Sequence, residues 1–337
     1  MTLPPAGIRI AVVGTGAIAQ VAHLPILSRM PGVTLTGLFD ADRQKALTLA
    51  ERLDVPRVFD SVEAVWEDDD VQAVIIATPS NLHGEQVRAA LSAGKFVFCE
   101  KPLALTAEEA RSVLATPGAD GRLMVGMNQR FRPDASTLRH EVAAGRIGSV
   151  GYLRAGWLNR RAGPIRRTWR HRRARAGGGA LMDLGIQLLD LCLWLVDYPQ
   201  PRRLVAHMLR EQGSEVEHTA MVVLELQGGV VVNLEVTWDL VSDRDRLYLN
   251  VQASSGSGSL PPLRVLRETD SGVVDVTPDA PPERENLFTV SYRNELTRFA
   301  EAVRGEATLP APREQEVLLR LIEAAYTSAE RGEEVRF

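Results

Sequence analysis

A chain of 337 residues is longer than one hydrophobic core usually supports, so two domains are expected. A hydrophobic share of 45% and a charged share of 24% are those of an ordinary soluble globular protein, and a net charge of −4 argues against a nucleic-acid binder. Two cysteines, Cys99 and Cys192, both in apolar runs, exclude a disulfide framework and point to buried thiols in a reducing cytoplasm. The apolar run Ile8 to Val13 starts too early and is too short for a signal peptide. The densest apolar stretch, Leu181 to Val196, is broken by Asp183, Gln187 and Asp190, so no membrane partner is expected.

Ile8 to Val13 reads as a buried strand that runs into Gly14-Thr15-Gly16-Ala17-Ile18-Ala19 and then a helix. This is G-x-G-x-x-A between strand and helix. Gly14 permits the tight turn, Gly16 lets the backbone approach a pyrophosphate, and Ala19 lets helix pack on strand. The phosphates would rest on the amides at the helix start, among them Ala17 and Ile18. A second strand, Val33 to Phe39, ends in Asp40, where an acid grips an adenosine ribose. A carboxylate there repels a 2′-phosphate and favours NAD. Arg43 close by leaves NADP open, and Asp40 could also cap a helix from Arg43 to Leu53.

Ala73 to Ala77 is a third buried strand, followed by Thr78-Pro79-Ser80-Asn81-Leu82-His83 and a helix from Gly84 to Ala93. The next strand closes on Cys99-Glu100-Lys101-Pro102, because Pro102 forces the chain out of it. A helix from Ala107 to Leu114 and a strand from Leu123 to Met127 follow. Such alternation predicts a doubly wound parallel sheet whose loops converge at one edge, bringing Gly16, Asn81, His83, Glu100 and Lys101 together. A lysine at that edge can handle protons. It can equally be a solvated lysine closing a strand, and His83 can be a helix cap.

Beyond Gly126 the texture changes. Val150 to Trp157, Arg203 to Leu209, Val216 to Leu226, Val230 to Trp238, Leu247 to Ala253 and Leu263 to Glu268 read as strands of a sheet with one covered face. Ser254 to Ser259 reads as a turn, Pro278 to Pro282 as a loop, and Ser291 to Val303 and Arg313 to Arg331 as helices. Gly177-Gly178-Gly179 opens a buried helix on which Asp183, Gln187 and Asp190 share one face. That stripe faces internal partners or a site. The glycines favour a site, since they let backbone and ligand approach closely. Between Val142 and Met182 no acid occurs while arginines accumulate, including Arg160, Arg161, Arg166, Arg167, Arg170, Arg172, Arg173 and Arg175. This basic loop is either a solvated face or a reader of an anionic substrate group.

Together, Gly14 to Ala19 with His23-Leu24-Pro25, Thr78 to His83, Glu100-Lys101-Pro102, Asn128-Gln129-Arg130-Phe131, the glycine-led helix and Ile322 to Ala329 resemble the glucose–fructose oxidoreductase / inositol dehydrogenase / MocA family. The resemblance covers nearly the whole chain. It implies an α/β protein: an N-terminal Rossmann domain over 1–126, with a doubly wound parallel sheet. A C-terminal α+β domain over 127–337 would bind substrate and oligomerise through a large, mostly antiparallel, open-faced sheet. It also implies NAD, a homodimer or homotetramer, and oxidation of a sugar-like, polyol or sugar-acid hydroxyl or reduction of the ketone. No metal is expected. Carried over, Gly14, Gly16, Ala17, Ile18, Asp40, Thr78, Pro79, Asn81, His83, Glu100, Lys101 and Asn128 hold the cofactor. Lys101, Asp183 and Gln187 serve the reaction, and Arg130 belongs near the crossover between domains. The family's helix carries Asp and, four residues later, His as acid/base, whereas this chain has Gln187, which cannot titrate near neutral pH. Lys101 then carries the proton alone, a residue such as Tyr152 substitutes, or the protein is a non-catalytic dinucleotide sensor.

Overall fold

The computed structural model describes residues 7–161, 168–279 and 286–337, and the chain groups into two compact units. The first runs to Asn128 and regains Phe288–Glu316, and the second holds Gln129–Leu287 and Val317–Phe337. The chain therefore returns to its first unit after building most of its second.

In the first unit, β1 (Ile8–Val13), β2 (Val33–Phe39), β3 (Ala73–Ile76), β4 (Phe96–Glu100) and β5 (Leu123–Gly126) form a parallel sheet of order β2-β1-β3-β4-β5. β1 and β3 are almost wholly buried because helices cover both faces, which is why they read as continuous apolar runs. The order reverses between β1 and β3, and ligands of open α/β sheets settle beyond the strand ends at such a switch. After β1 a π-helical turn, Ala19–His23, runs into the helical turn Leu24–Leu27. Pro25, with no N–H to give, sits at this change of pitch. The helix Arg43–Arg52 is capped by Asp42, whose carboxylate accepts from the Lys45 amide, so Asp40 is not its cap.

In the second unit, β6 (Val150–Arg160), β7 (Pro201–Leu209), β8 (Thr219–Leu226), β9 (Val231–Leu240), β10 (Arg246–Ala253), β11 (Gly256–Leu260), β12 (Arg264–Thr269), β13 (Gly272–Asp275) and β14 (Val335–Arg336) form one sheet. Its order is β13-β12-β11-β10-β6-β9-β8-β7-β14, antiparallel except between β6 and β9. Burial alternates along β8, with Ala220, Val222 and Leu224 inside, so one face is covered. Leu189, Val222, Leu234 and Ile322 meet around a small apolar void between helices and sheet.

The turn expected over Ser254 to Ser259 is confined to Ser254 and Ser255, and the rest is strand β11. Its composition misleads because Gly256 and Gly258 lie under Ile147 and Leu138, where a side chain would collide. The helical run Arg173–Leu195 exceeds the apolar stretch Leu181 to Val196 and is long and apolar enough to cross a membrane. Its apolar window is 89% buried, as befits a core helix. The loop expected over Pro278 to Pro282 lies partly outside the described residues.

Candidate active site

The carboxyl ends of β1, β2, β3 and β4 bring several of the expected site residues to one sheet edge. Gly14 has φ +91°, and a Cβ there would sit 2.7 Å from the Ala77 carbonyl and the Thr78 amide, so only glycine fits. Around Gly16 the nearest atom to such a Cβ is the Ala77 oxygen at 4.0 Å, which leaves that backbone approachable. Ala17 and Ile18 are the first helical residues, with their amides at the helix start. The residues present therefore fit a dinucleotide pyrophosphate.

Asp40, just past β2, is held by four donors. Its Oδ2 accepts from the Thr15 amide at 2.7 Å, the Thr15 hydroxyl at 2.8 Å and Lys45 Nζ at 2.8 Å, and its Oδ1 accepts from the Asp42 amide at 2.9 Å. Burial works to raise its pKa, but Lys45, the two amides and the Thr15 hydroxyl together hold it below the usual carboxylate value. Asp40 is thus an ionised acceptor at the strand end. Thr15 and Lys45, which give it that character, belong to residue types too common to single out in a sequence.

His83 is buried, and its two ring nitrogens face backbone carbonyls, Pro102 at 2.7 Å and Thr78 at 2.9 Å. It ties the loop after β3 to the loop after β4 and makes no cap bond at its own helix. Burial dominates its titration and lowers its pKa, the Lys101 charge adding to this, against the two carbonyls and Glu100. Thr78 donates through its hydroxyl to Gln86, Pro79 is extended, and Asn81 is exposed.

Glu100 ends β4 almost fully buried, with its Oε1 2.8 Å from His23 Nε2. Burial opposes its charge, yet the His23 hydrogen bond and the charges of His23, Lys101 and His83 keep its pKa below the ordinary value. His23 packs edge-on against Phe98 and Tyr292. Lys101 follows, half-buried, at the strand end. Asn128 is buried and donates to the Ser291 hydroxyl at 2.9 Å, so it also braces the helix Leu287–Val303.

The second unit carries Asp183 and Gln187. Asp183 lies half-buried in the π-helical turn Leu181–Gly185, and Gln187 lies in the first turn of the helix Ile186–Leu195 with its Nε2 3.2 Å from the Asp183 carbonyl oxygen. Asp190, the third residue of the stripe, has internal partners: Arg130 grips its carboxylate with two nitrogens, and the Tyr198 hydroxyl donates to it. The glycines make their close approaches to protein. A Cβ on Gly178 would strike the Tyr326 hydroxyl and one on Gly179 the Glu217 carbonyl, which corrects the expectation that they admit a ligand. Tyr152 lies on the face of β6 opposite buried Leu153 and Ala155, away from the helix-covered side.

Of the basic segment, Arg166 and Arg167 lie outside the described residues. Arg161 pairs with Asp239, Arg173 with Glu330, and Arg170 stacks on Trp169, so acids distant in sequence neutralise part of the run. Arg160, Arg172 and Arg175 are exposed.

Comparison with known proteins agrees with this geometry. Residues 8–127 match the model of an oxidoreductase family with an NAD-binding Rossmann fold (GFO_IDH_MocA), and residues 135–257 match that family's C-terminal domain. Inositol 2-dehydrogenase of Paracoccus denitrificans is 31% identical, over 97% of this chain and 95% of that one. D-glucoside 3-dehydrogenase of Escherichia coli is 26% identical, over 99% and 98%. A solved levoglucosan dehydrogenase in complex with NADH superposes with a TM-score of 0.88 at 21% identity, covering 98% of this chain and 99% of that one. The chain belongs to the Gfo/Idh/MocA family and is an NAD(P)-dependent oxidoreductase.

Proposed function

We propose that this enzyme transfers a hydride between nicotinamide C4 and a carbinol carbon of a sugar-like, polyol or sugar-acid substrate. Lys101 is the acid/base, and Asp183 and Gln187 hold the reacting hydroxyl. The observation that carries this reading is Lys101 at the end of β4, on the same sheet edge as Gly14 and Asp40 and next to the buried Glu100–His23 pair. The substrate class is supported by relatives named for dehydrogenating a glucoside and an inositol.

The amides of Gly16, Ala17 and Ile18 would hold the pyrophosphate and Asp40 the adenosine ribose. Thr78, Pro79, Asn81, His83, Glu100, Lys101 and Asn128 would line the remainder. Bound NAD supplies the hydride acceptor. In the oxidative direction the substrate O–H proton passes to the Lys101 amine as the carbinol C–H is lost as hydride and a C=O forms, and reduction reverses each transfer. Asp183 accepts a hydrogen bond from substrate, and Gln187 orients it without titrating. The proton therefore falls to Lys101.

The buried thiols Cys99 and Cys192, the latter pushed by burial to a pKa of about 12, fit a reducing cytoplasm. A homo-oligomer joined through the open face of the second sheet completes the proposal.

The test is NAD reduction against a panel of polyols, glycosides and uronates. Lys101→Met is expected to lower kcat/KM by about 10²–10⁴-fold while NAD affinity is retained, the range typical of a lost general base. Unchanged turnover in that variant removes Lys101 from the mechanism. A wild-type protein that binds NAD and oxidises or reduces no panel member removes the substrate class.

A further inference from the structure

The start of the helix that bears Asp183 and Gln187 is held from outside by one buried carboxylate. Helix starts leave amides without partners, and no side chain of this helix caps it. Glu217, fully buried just before β8, fills the gap. Its Oε1 accepts from the Leu181 amide at 2.9 Å and the Gly179 amide at 3.0 Å, its Oε2 lies 3.1 Å from the Gly179 amide, and its own carbonyl accepts from the Ala180 amide at 3.0 Å. The Tyr326 hydroxyl donates to the same Oε1 at 3.0 Å.

Among the described residues no cation forms an ion pair with Glu217. Its charge is met by amide and hydroxyl donors and by the positive end of the helix. Burial and the Glu217 charge raise the Tyr326 pKa, so its hydroxyl keeps the proton it donates. The glycines make the arrangement possible: Gly177 turns at φ +77°, and Gly178 and Gly179 leave the room that Tyr326 and the Glu217 backbone occupy. The Asp183 amide bonds back to the Gly179 carbonyl at 3.0 Å, which links the clamp to Asp183 within one turn.

We propose that Glu217 and Tyr326 are positioning residues for the reaction, fixing the turn from which Asp183 and Gln187 meet the reacting hydroxyl. This rests on the substrate-holding role given to those two residues above. Loss of the clamp lets the turn shift by a fraction of its pitch, and misplacement on the order of 1 Å costs about 10²-fold in rate.

The test uses the full chain with Glu217→Gln, which removes the charge and replaces one of the two accepting oxygens by an NH2 donor, and Tyr326→Phe, which removes only the hydroxyl. Hydrogen exchange at residues 178–184 should quicken roughly tenfold in both. NAD affinity should be unchanged. The kcat per bound NAD should fall by about 10–100-fold, with a larger primary deuterium isotope effect from a carbinol-deuterated substrate. A role in folding alone would lower the number of NAD sites and leave kcat per site and the isotope effect where they were, which overturns the proposal. Unchanged exchange at 178–184 overturns it as well. Should the wild type turn over no panel member, the proposed reaction fails, and the exchange measurement alone still decides whether the clamp exists.

Discussion

In the proposed reading, cofactor choice falls to Asp40. Its carboxylate presents about four acceptor positions, and Thr15, Asp42 and Lys45 engage it with four donors. The Lys45 side chain is 36% exposed, so its ammonium is the donor that can yield to a ribose hydroxyl. Replacing Asp40 by Ser removes the charge that repels a 2′-phosphate and leaves Lys45 to attract one. We expect the NADP to NAD ratio of kcat/KM to rise about tenfold, the equivalent of roughly 1.4 kcal/mol, in initial-rate assays with both cofactors. An unmoved ratio means cofactor choice is made elsewhere. His83 bears on stability instead. Its folded pKa lies below the ordinary imidazole value of 6.5, so on acidification the unfolded chain takes up a proton first. Stability is full above that value and is lost as the pH falls below it, with a slope of at most about 1.4 kcal/mol per pH unit from this one group. In His83→Asn the fall in urea-unfolding free energy between about pH 6.5 and 5.5 should be shallower. Parallel slopes in both proteins would show that His83 does not drive that loss.

At the scale of elements, the sequence was most legible where local pattern and tertiary role agree. β1, β2 and the helix Ala107–Leu114 have the bounds their apolar runs predict, because turn residues or a cap flank them and nothing distant overrides those signals. β11 was hidden by its glycines and serines, whose reason lies in Leu138 and Ile147 packed above. The polar stripe was legible as a stripe and not as two roles, since the partners of Asp190 come from Arg130 and Tyr198, and those of the helix start from Glu217 and Tyr326. Three glycines announce a close approach without naming what approaches. The Arg130–Asp190 pair yields a prediction for its element. Asp190 is fully buried and Arg130 is 19% exposed, so removing the acid takes from a largely covered guanidinium the carboxylate it grips with two nitrogens. Asp190→Ala should lower unfolding free energy by about 2–3 kcal/mol, read from the shift in urea midpoint, with NAD affinity retained. A shift within about 0.5 kcal/mol would mark the pair as a surface contact in energetic terms.

For the whole molecule the open face of the second sheet poses the remaining question. Alternation should place polar groups on the uncovered side of β7 and β8. Instead Val205, Leu209, Met221 and Val223 stand there, 36%, 54%, 44% and 47% exposed. Val205 lies opposite Val223 in the strand register, Met221 opposite His207, and Leu209 opposite Thr219, so the four follow one another across two adjacent strands. Scattered apolar residues are normal on a surface, whereas a contiguous stripe marks a surface that meets another molecule. A second copy is the partner proposed here. An isologous contact would set each stripe against its symmetry mate and bury both at once. The double substitution Met221→Glu with Val223→Lys leaves net charge unchanged and places two charges in the stripe. Sedimentation of the wild type should give a multiple of the 36.9 kDa chain mass, and the variant should fall toward that mass with NAD affinity intact. A wild type that sediments as a monomer, or a variant that keeps its oligomeric mass, excludes this face as the interface.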